Sequence, residues 1–225
     1  MLGDATQIMR AVDAWVASQG NGRWVAADSV PPAGTGAPFP DYGIQQERQE
    51  TAELVSVLLD RLPDRERCLE VGLGRYGSTH ILWRELFRHV VSIEWHSDRI
   101  HNFSAQVEAF YGRWVLDDRR SRIIPGSSWD PAVVRQVYAC CTPTLDFLFI
   151  DGSHAYQDVL CDWLLYHPLV RPGGVIAFHD SVCTLPAFGV GSFVAELAAG
   201  MIDGHKRAIT HILHSTHLGI SLYEV

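Results

Sequence analysis

The stretch Leu145–Asp180 constrains the fold of this 225-residue chain more than any other. It begins with an apolar run, Phe147–Ile150, that stops at Asp151, and a second run, Val175–Phe178, stops before Asp180. Between the two runs, apolar residues recur at helical spacing, and a Pro-Gly-Gly sequence then predicts a turn. Strand, helix and strand in this order form a βαβ unit, so we expect two parallel strands joined by a crossover helix.

The βαβ unit places polar side chains at one edge of the sheet. Asp151 and Asp180 each follow a strand, and parallel neighbours end on the same edge, about 4.8 Å apart. Oxygen ligands lie roughly 2.0–2.6 Å from Mg²⁺ or Ca²⁺, so the two carboxylates could hold one hard cation. His154, predicted in the first turn of the helix, can lean over the same edge. Open α/β sheets bind their ligands at this carboxyl edge.

Each of these residues also has a simpler structural interpretation. Asp151 could cap the helix that follows, since Asp is a favoured N-cap residue. Asp180 could be a turn residue, and His154 could be an exposed side chain at a helix end. Each structural role is the simpler one for a residue taken alone, whereas three such residues at one edge favour a functional site.

A glycine motif precedes this unit in the chain. Gly72, Gly74 and Gly77 match G-x-G-x-x-G between a predicted strand, Cys68–Val71, and a predicted helix, Ser78–Arg88. Glycines at this place let the backbone approach a ligand closely, and the helix N-terminus offers free N–H groups. The motif therefore predicts a nucleoside-bearing cofactor, and a tight strand-to-helix turn without a ligand is the alternative.

Two acidic residues narrow the choice of cofactor. Glu94 ends the next predicted strand, about 20 residues after the motif, where a carboxylate can bind two ribose hydroxyls. Glu70 stands two residues before the first glycine, and an acid there suits a cofactor with a cationic amino-acid end better than a pyrophosphate. The alternatives are an ordinary surface carboxylate for Glu94 and one paired with an arginine for Glu70.

Strands and helices alternate from residue 67 onward. We expect an α/β fold with a doubly wound, mostly parallel, seven-stranded sheet and helices on both faces. Residues 1–64 are predicted to form an N-terminal helical extension, a cap of two helices joined by a Pro/Gly-rich linker over residues 29–43, and residues 65–225 the main domain. The polar beginning of the second helix predicts that only its second half packs firmly. The linker is either disordered or a lid over the active edge.

Composition excludes several classes of function. A net charge of −8 argues against a nucleic-acid surface, which needs a basic face. No apolar run approaches the roughly 20 residues of a membrane span, and the N-terminus lacks a signal-peptide pattern. The five cysteines include no C-x-x-C pair, which predicts free thiols in a cytoplasmic protein. An N-terminal extension often mediates contacts between copies, so a homo-oligomer stays open.

Several of these residues are familiar as a set. The segment Glu70–Gly74 resembles the E/D-x-G-x-G opening motif of class I S-adenosylmethionine (SAM)-dependent methyltransferases. The segments Ile150–Tyr156, Arg171–Gly174 and His179-Asp180 resemble the branch with macrocin O-methyltransferase and cephalosporin hydroxylase-like proteins, akin to catechol-type enzymes. The resemblance covers about residues 65–225. It implies a Rossmann-like fold, SAM, probable Mg²⁺ and O-methylation of a small hydroxylated acceptor of sugar or phenol type.

The resemblance also implies roles for individual residues. Ser78 would hold the SAM carboxylate and Trp95 would lie against adenine. Asp151 and Asp180 would bind the metal, and His154 would be the general base. The full set of implied cofactor-binding residues is Glu70, Gly72, Gly74, Ser78, Glu94, Trp95, Ser128, Trp129 and Asp151. For the two tryptophans, partly buried packing is the alternative.

One departure from the catechol-type pattern concerns the third protein ligand of the metal. Those enzymes follow the second Asp with an Asn that also binds the metal, whereas this chain has Ser181. Two rival functions therefore stand beside the methyltransferase. One is an NAD(P)- or flavin-dependent oxidoreductase that uses the glycine motif and Glu94. The other is a SAM-binding protein without activity.

Overall fold

A computed structural model describes residues 4–25, 43–111, 120–142, 144–215 and 218–225 of the chain. The helices are α1 (Ala5–Ala17), α2 (Arg48–Arg61), α3 (Ser78–Leu86), α4 (Ser97–Tyr111), α5 (Pro131–Cys141), α6 (Tyr156–Tyr166) and α7 (Val190–Ala199). The strands are β1 (Arg67–Val71), β2 (His89–Glu94), β3 (Ser121–Pro125), β4 (Leu145–Ile150), β5 (Val170–Phe178), β6 (Thr210–Ile212) and β7 (Ile220–Glu224).

The seven strands form one sheet in the order β3-β2-β1-β4-β5-β7-β6. The pairs among β1 to β5 are parallel, and β7 runs antiparallel to both β5 and β6. The predicted Rossmann-like, mostly parallel sheet is therefore confirmed. Val71 pairs with Ile150, and Ile150 pairs with Phe178, so β1, β4 and β5 end level with one another. This register sets up the carboxyl edge on which the site is built.

Strand β4 lies at the centre of the sheet and is buried along its whole length. Leu148 and Ile150 pack on one face with α5, α6 and α7, whereas Phe147 and Phe149 pack on the other face with α1, α2 and α3. Successive side chains of a strand point to opposite faces. A continuous apolar run is therefore what a strand covered by helices on both sides requires.

The N-terminal helices pack onto the sheet in the same core as Phe147 and Phe149. The prediction that only the second half of α2 packs firmly is wrong, because Glu50 and Thr51 in its first turn are buried. The Glu50 carboxylate accepts three backbone N–H groups, from His214 (2.9 Å), Ser215 (2.8 Å) and Gly219 (3.2 Å). Residues 29–42 of the predicted linker lie outside the described residues, and the domain division at residue 64 stays a prediction.

Three local predictions differ from the structure. The run Pro172–Gly174 lies inside β5 rather than in a turn, and a register shift on β4 accommodates it. Such irregularities suit proline, which cannot donate to the ladder. The sequence pattern predicts the sixth strand over Lys206–Leu213, whereas β6 spans only Thr210–Ile212. His154 precedes α6 instead of lying in its first turn.

All five cysteines are free, and three of them, Cys68, Cys141 and Cys183, are buried. Across the described ranges, none of the helices combines the length and the hydropathy needed to cross a membrane.

Replacing Glu50 by alanine tests whether the first turn of α2 anchors the segment before β7. The change leaves three N–H groups without their acceptor, and bonds to charged groups are worth about 1.5–3 kcal/mol each. His214 is exposed and Ser215 is half-buried, so water can replace part of these bonds. We therefore expect the free energy of unfolding, measured in urea, to fall by about 2–4 kcal/mol, less than the sum of the three bonds. Glu53→Ala is the control, since its exposed pairing with His214 is worth about 0–1 kcal/mol. Equal losses for the two variants would contradict the anchoring role.

Candidate active site

The loops after β1 and β4 touch each other through their backbones. Gly72 has a φ of +95°, and a Cβ atom at this position would lie 2.1 Å from the carbonyl oxygen of Asp151. The N–H of Asp151 in turn donates to the carbonyl of Val71 at 2.9 Å. Only glycine allows this approach, because any side chain would collide with the facing backbone. The glycine loop is thereby held against the residue predicted to bind a metal.

Three predicted site residues come together at the carboxyl edge. Ligand atoms of Asp151, His154 and Asp180 all lie within 4.8 Å of one another. His154 Nε2 is 2.9 Å from Asp180 Oδ2. His179 Nδ1 lies 3.3 Å from Asp151 Oδ1 and 3.2 Å from Asp180 Oδ2, so this imidazole sits between the two carboxylates. Two carboxylates and an imidazole form a donor set that fits a divalent cation.

The charges of the cluster are strongly coupled. Burial would raise the pKa of Asp180, but the charge of His179 and the hydrogen bond from His154 outweigh it and lower that pKa. Burial would lower the pKa of His179, but the charges of Asp151 and Asp180 raise it well above its usual value. Burial also opposes protonation of His154, and the bond with Asp180 still raises its pKa. The edge therefore favours positive charge between its carboxylates.

The turn that carries Asp180 has an unusual backbone. Asp180 has a φ of +57°, a left-handed conformation that no other non-glycine residue adopts in the described ranges. Asp tolerates this region better than most residues because its short side chain can hydrogen-bond locally. The segment before β7 secures the turn, since the N–H groups of Ser181 and Val182 donate to the carbonyls of Gly219 (3.2 Å) and Leu218 (3.1 Å).

Ser181 stands at the position where catechol-type enzymes have an Asn that binds the metal. Its side chain is buried, and among the described residues its hydroxyl has no hydrogen-bond partner. Asp151, by contrast, does not cap α6, because Ala155 holds the N-cap position without a side-chain bond. The Asp151 carboxylate is therefore not tied up as a helix cap.

A loop after β5 fixes the ring of His154. Phe188 stacks on the imidazole with ring centroids 4.2 Å apart and planes at 10°. The N–H of Gly189 donates to the carbonyl of His154 at 2.8 Å. The side chain of His154 is 39% exposed, so it combines a fixed orientation with access to a bound molecule.

Glu94 ends β2 on the same edge of the sheet, as predicted. Its Oε1 accepts the N–H of His96 at 2.9 Å. Its Oε2 is buried and has no hydrogen-bond partner among the described residues, although Arg99 lies 3.6 Å away. A buried oxygen that lacks a hydrogen-bond donor is suited to accept a hydrogen bond from a ligand hydroxyl. The adjacent Trp95 is 69% exposed, so its ring is available as a flat apolar surface.

Glu70 is fully buried and is held by protein groups. Its carboxylate accepts the indole N–H of Trp83 (2.9 Å) and the hydroxyl of Ser92 (2.5 Å). Ser92 also bonds Nδ1 of His80 (2.7 Å), whose Nε2 bonds Ser121 (2.5 Å). Burial raises the pKa of Glu70 to about 8 and lowers that of His80 to about 3. This chain of buried groups links β1, β2 and β3 to α3, and a role of Glu70 toward a cofactor stays a prediction.

Ser78 begins α3, and its hydroxyl is also engaged. It donates to the carbonyl of Gly43 at 2.7 Å and accepts the indole N–H of Trp15 at 3.2 Å. The glycine loop is therefore tied to the N-terminal segment. Contact of Ser78 with a cofactor stays a prediction.

Ser128 and Trp129 lie in the turn between β3 and α5, where the indole of Trp129 is about half exposed.

Sequence reasoning missed Gln46. Its side-chain amide donates to Asp151 Oδ2 at 2.8 Å, although the two residues are far apart in the chain. Gln46 lies with Gln45 and the glycine loop around a small cavity of about 30 Å³. No local pattern marks this residue, because its position depends on how the segment before α2 packs on the sheet. The Gln46 amide thus donates a hydrogen bond to a carboxylate oxygen that a cation bound at Asp151 would use.

A family model described as a methyltransferase domain matches residues 69–181 of the chain. Protein R132 of Acanthamoeba polyphaga mimivirus, itself described as uncharacterized, is 41% identical over 68 residues, which are 28% of this chain and 30% of R132. The chain thus spans less than a third of that relative.

Two solved structures share the fold. An O-methyltransferase from Bacillus cereus, in complex with S-adenosylhomocysteine (SAH), has a TM-score of 0.59 and 18% identity over 99% of this chain and 91% of that one. MycE, a methyltransferase of the mycinamycin biosynthetic pathway in complex with Mg, SAH and mycinamycin VI, has a TM-score of 0.53 and 21% identity over 76% of this chain. The match spans only 48% of MycE.

The raised pKa of Glu70 predicts a pH dependence of stability. The folded protein keeps a proton on Glu70 up to about pH 8, whereas the unfolded chain releases it near the ordinary value of 4.5. This contribution is fully present below pH 4.5 and is lost as pH rises through about 8.

Glu70→Gln removes this titration and leaves the other groups in place. The free energy of unfolding of the natural protein minus that of the variant should fall steadily from about pH 5 to pH 9. Urea unfolding at a series of pH values measures this difference. A difference that stays constant across the range would show that Glu70 titrates normally in the folded state.

Proposed function

The chain belongs to the methyltransferase-domain family, and from this premise we propose that it is a SAM-dependent methyltransferase that methylates a hydroxyl oxygen of a small acceptor with the help of a divalent cation. The observation that carries the proposal is the cluster of Asp151, His154 and Asp180 beside the glycine loop. A sulfonium methyl group bound at that loop and a hydroxyl bound at that cluster would be neighbours. Holding two reactants in line supplies a large part of the barrier reduction in such transfers.

The glycine loop and the end of β2 are the proposed SAM site. Gly72 and Gly74 leave the loop free of side chains where the methionine part would lie. Glu94 offers to the ribose hydroxyls its Oε2, which has no hydrogen-bond partner among the described residues and lies 3.6 Å from Arg99. The exposed ring of Trp95 offers a face to adenine. The N–H groups at the start of α3 add partial positive charge for a carboxylate.

Asp151 and Asp180 are the proposed cation ligands. A bound divalent cation would act as a Lewis acid that lowers the pKa of the acceptor hydroxyl. The carboxylates hold positive charge at this place in the structure already, since His179 lies between them. Gln46 would release Asp151 Oδ2 or stay as a neighbour of the bound cation. Ser181 leaves room at the position where catechol-type enzymes have a third protein ligand.

His154 is the proposed general base. It accepts the proton of the acceptor hydroxyl, and the oxygen forms a bond to the methyl carbon. The carbon–sulfur bond breaks at the same time, so the sulfonium becomes the neutral thioether of SAH. Phe188 keeps the imidazole in one plane at the edge where the acceptor would bind, with Nε2 placed 2.9 Å from Asp180 Oδ2.

The shape and the charge of this edge support a proposal for the class of acceptor. Phe188 and the exposed side of His154 form an aromatic wall next to the carboxylates. A sugar or phenol with two neighbouring oxygens could bind the cation and pack on that wall. MycE, which shares the fold, is described in complex with mycinamycin VI, a small-molecule ligand. We therefore propose a small hydroxylated natural product as acceptor.

Calorimetry with SAH and NAD⁺ tests the assignment of the cofactor. The protein should bind SAH with one site per chain and should not bind NAD⁺ at the same concentration. Binding of NAD⁺ in preference to SAH would favour the oxidoreductase alternative. Binding of SAH without methyl transfer to any hydroxylated acceptor in the presence of Mg²⁺ would favour a binding protein without activity.

Asp151→Asn and Asp180→Asn test the cation site. Loss of a group that merely hydrogen-bonds a metal ligand already costs about 10–100-fold in metal affinity, so loss of a ligand should weaken Mn²⁺ binding by about 100-fold or more. Electron paramagnetic resonance of free Mn²⁺ measures binding without activity, and stimulation by Mg²⁺ should disappear in parallel. Asp64→Asn, an exposed carboxylate before β1, is the control and should bind Mn²⁺ like the natural protein. Unchanged binding by both site variants would remove these residues from a metal site.

His154→Ala tests the base. Loss of a general base typically costs about 10²–10⁴-fold in rate, so turnover should fall by this amount while SAH affinity stays the same. His211→Ala, which removes an exposed histidine of β6, should leave turnover unchanged. A variant that methylates at the natural rate would show that His154 is not the base.

A further inference from the structure

The side chain of Gln46 lies beside the proposed cation site, although the proposed function gives it no part in the reaction. Gln46 is 4% exposed, and its side-chain amide donates to Asp151 Oδ2 at 2.8 Å. The family resemblance places the third metal ligand directly after Asp180 and covers about residues 65–225, so it assigns nothing to the segment that carries Gln46. A buried polar group is normally one whose hydrogen bonds are used, so the partner of Gln46 indicates what it does.

The backbone around Gln46 is held on both sides. Upstream, the carbonyl of Gly43 accepts the hydroxyl of Ser78 at 2.7 Å, which ties the segment to the start of α3. Directly downstream, the side chain of Glu47 caps α2 by accepting the N–H of Glu50 at 2.8 Å. The Gln46 side chain therefore reaches the end of β4 from a backbone that is fixed at two points.

The contact between Gln46 and Asp151 has the spacing of two ligands on one cation. Oxygen ligands roughly 2.0–2.1 Å from an octahedral cation lie about 2.8–3.0 Å apart when they occupy neighbouring positions. The Gln46 amide is 2.8 Å from Asp151 Oδ2, so a cation on that oxygen would have the end of the Gln46 side chain next to it. Side-chain carbonyls of Asn and Gln are among the ligands that hard cations take.

The amide of Gln46 can serve both the free carboxylate and a bound cation. Its NH₂ group donates and its Oε1 accepts, and the two ends have nearly the same shape. Next to a carboxylate without a cation, the NH₂ end faces Asp151 Oδ2. A cation on that oxygen reverses the demand, and rotation about the last bond of the side chain then presents Oε1. This rotation needs no movement of the backbone.

Ser181 is the other candidate for the third ligand. Its side chain is buried, and its hydroxyl has no hydrogen-bond partner among the described residues. Carboxylate, carbonyl and water oxygens are the ligands that suit Mg²⁺, Ca²⁺ and Mn²⁺. This preference favours the amide carbonyl of Gln46 over the hydroxyl of Ser181.

We propose that Gln46 is the third protein ligand of the cation and binds it through Oε1, beside Asp151 and Asp180. The N-terminal segment thereby supplies the amide group that catechol-type enzymes supply from the residue after the second Asp. This inference rests on the proposed function and completes the protein ligands of its cation. The cation would also tie the segment before α2 to the ends of β4 and β5.

Binding of Mn²⁺ to variants of Gln46 tests the ligand role without reference to activity. Gln46→Ala removes the amide, so the dissociation constant measured by electron paramagnetic resonance should rise about tenfold or more. Gln46→Glu keeps the length of the side chain and offers a carboxylate oxygen, so this variant should bind Mn²⁺ at least as tightly as the natural protein. Ser181→Ala and the control Gln49→Ala, an exposed residue of α2, should bind it like the natural protein.

Gln46→Glu separates a ligand from a residue that only orients Asp151. An ionised Glu cannot donate to Asp151 and repels it, so an orienting role predicts a loss of affinity at least as large as in Gln46→Ala. Such a loss, or natural affinity in Gln46→Ala, would overturn the ligand role. Loss of affinity in Ser181→Ala alone would overturn it in favour of Ser181. Failure of the natural protein to bind Mn²⁺ would instead refute the cation of the proposed function.

Discussion

The backbone contact between Gly72 and Asp151 is the constraint on which the rest of the site depends. It forces the loop after β1 against the end of β4, and the parallel register of β4 and β5 then brings Asp180 to the same place. A cofactor at the glycine loop and a cation at the carboxylates would share one pocket for this reason alone. The surrounding helices cover both faces of the sheet, so the site is built at the carboxyl edge of the strands.

The edge combines opposing electrostatic demands. Asp151 and Asp180 repel each other, and the imidazoles of His154 and His179 lie against them and balance their charge. A divalent cation would neutralise the two carboxylates without the need for protonated imidazoles between them. The left-handed backbone of Asp180 indicates that the turn is shaped for its side chain, and the Glu50-anchored segment before β7 holds that turn through backbone hydrogen bonds. Part of the stability of the fold is therefore used to hold a turn with a left-handed residue at the proposed cation site.

The sequence predicted the central sheet well because apolar runs and glycine turns are local signals. Asp151 and Asp180 followed from a topological rule, since parallel strands that are joined by a helix end at one edge. Gln46 could not be predicted in this way. It reaches Asp151 from the N-terminal segment, so its role comes from a contact between segments that are distant in the chain.

The most direct test of the central claim is a crystal structure of the protein with SAH and Mn²⁺, in which anomalous scattering locates the metal. We predict one strong anomalous peak about 2.0–2.2 Å from carboxylate oxygens of both Asp151 and Asp180, with the sulfur of SAH facing it from the glycine loop. A metal bound elsewhere, or SAH bound away from Gly72 and Gly74, would contradict the shared pocket.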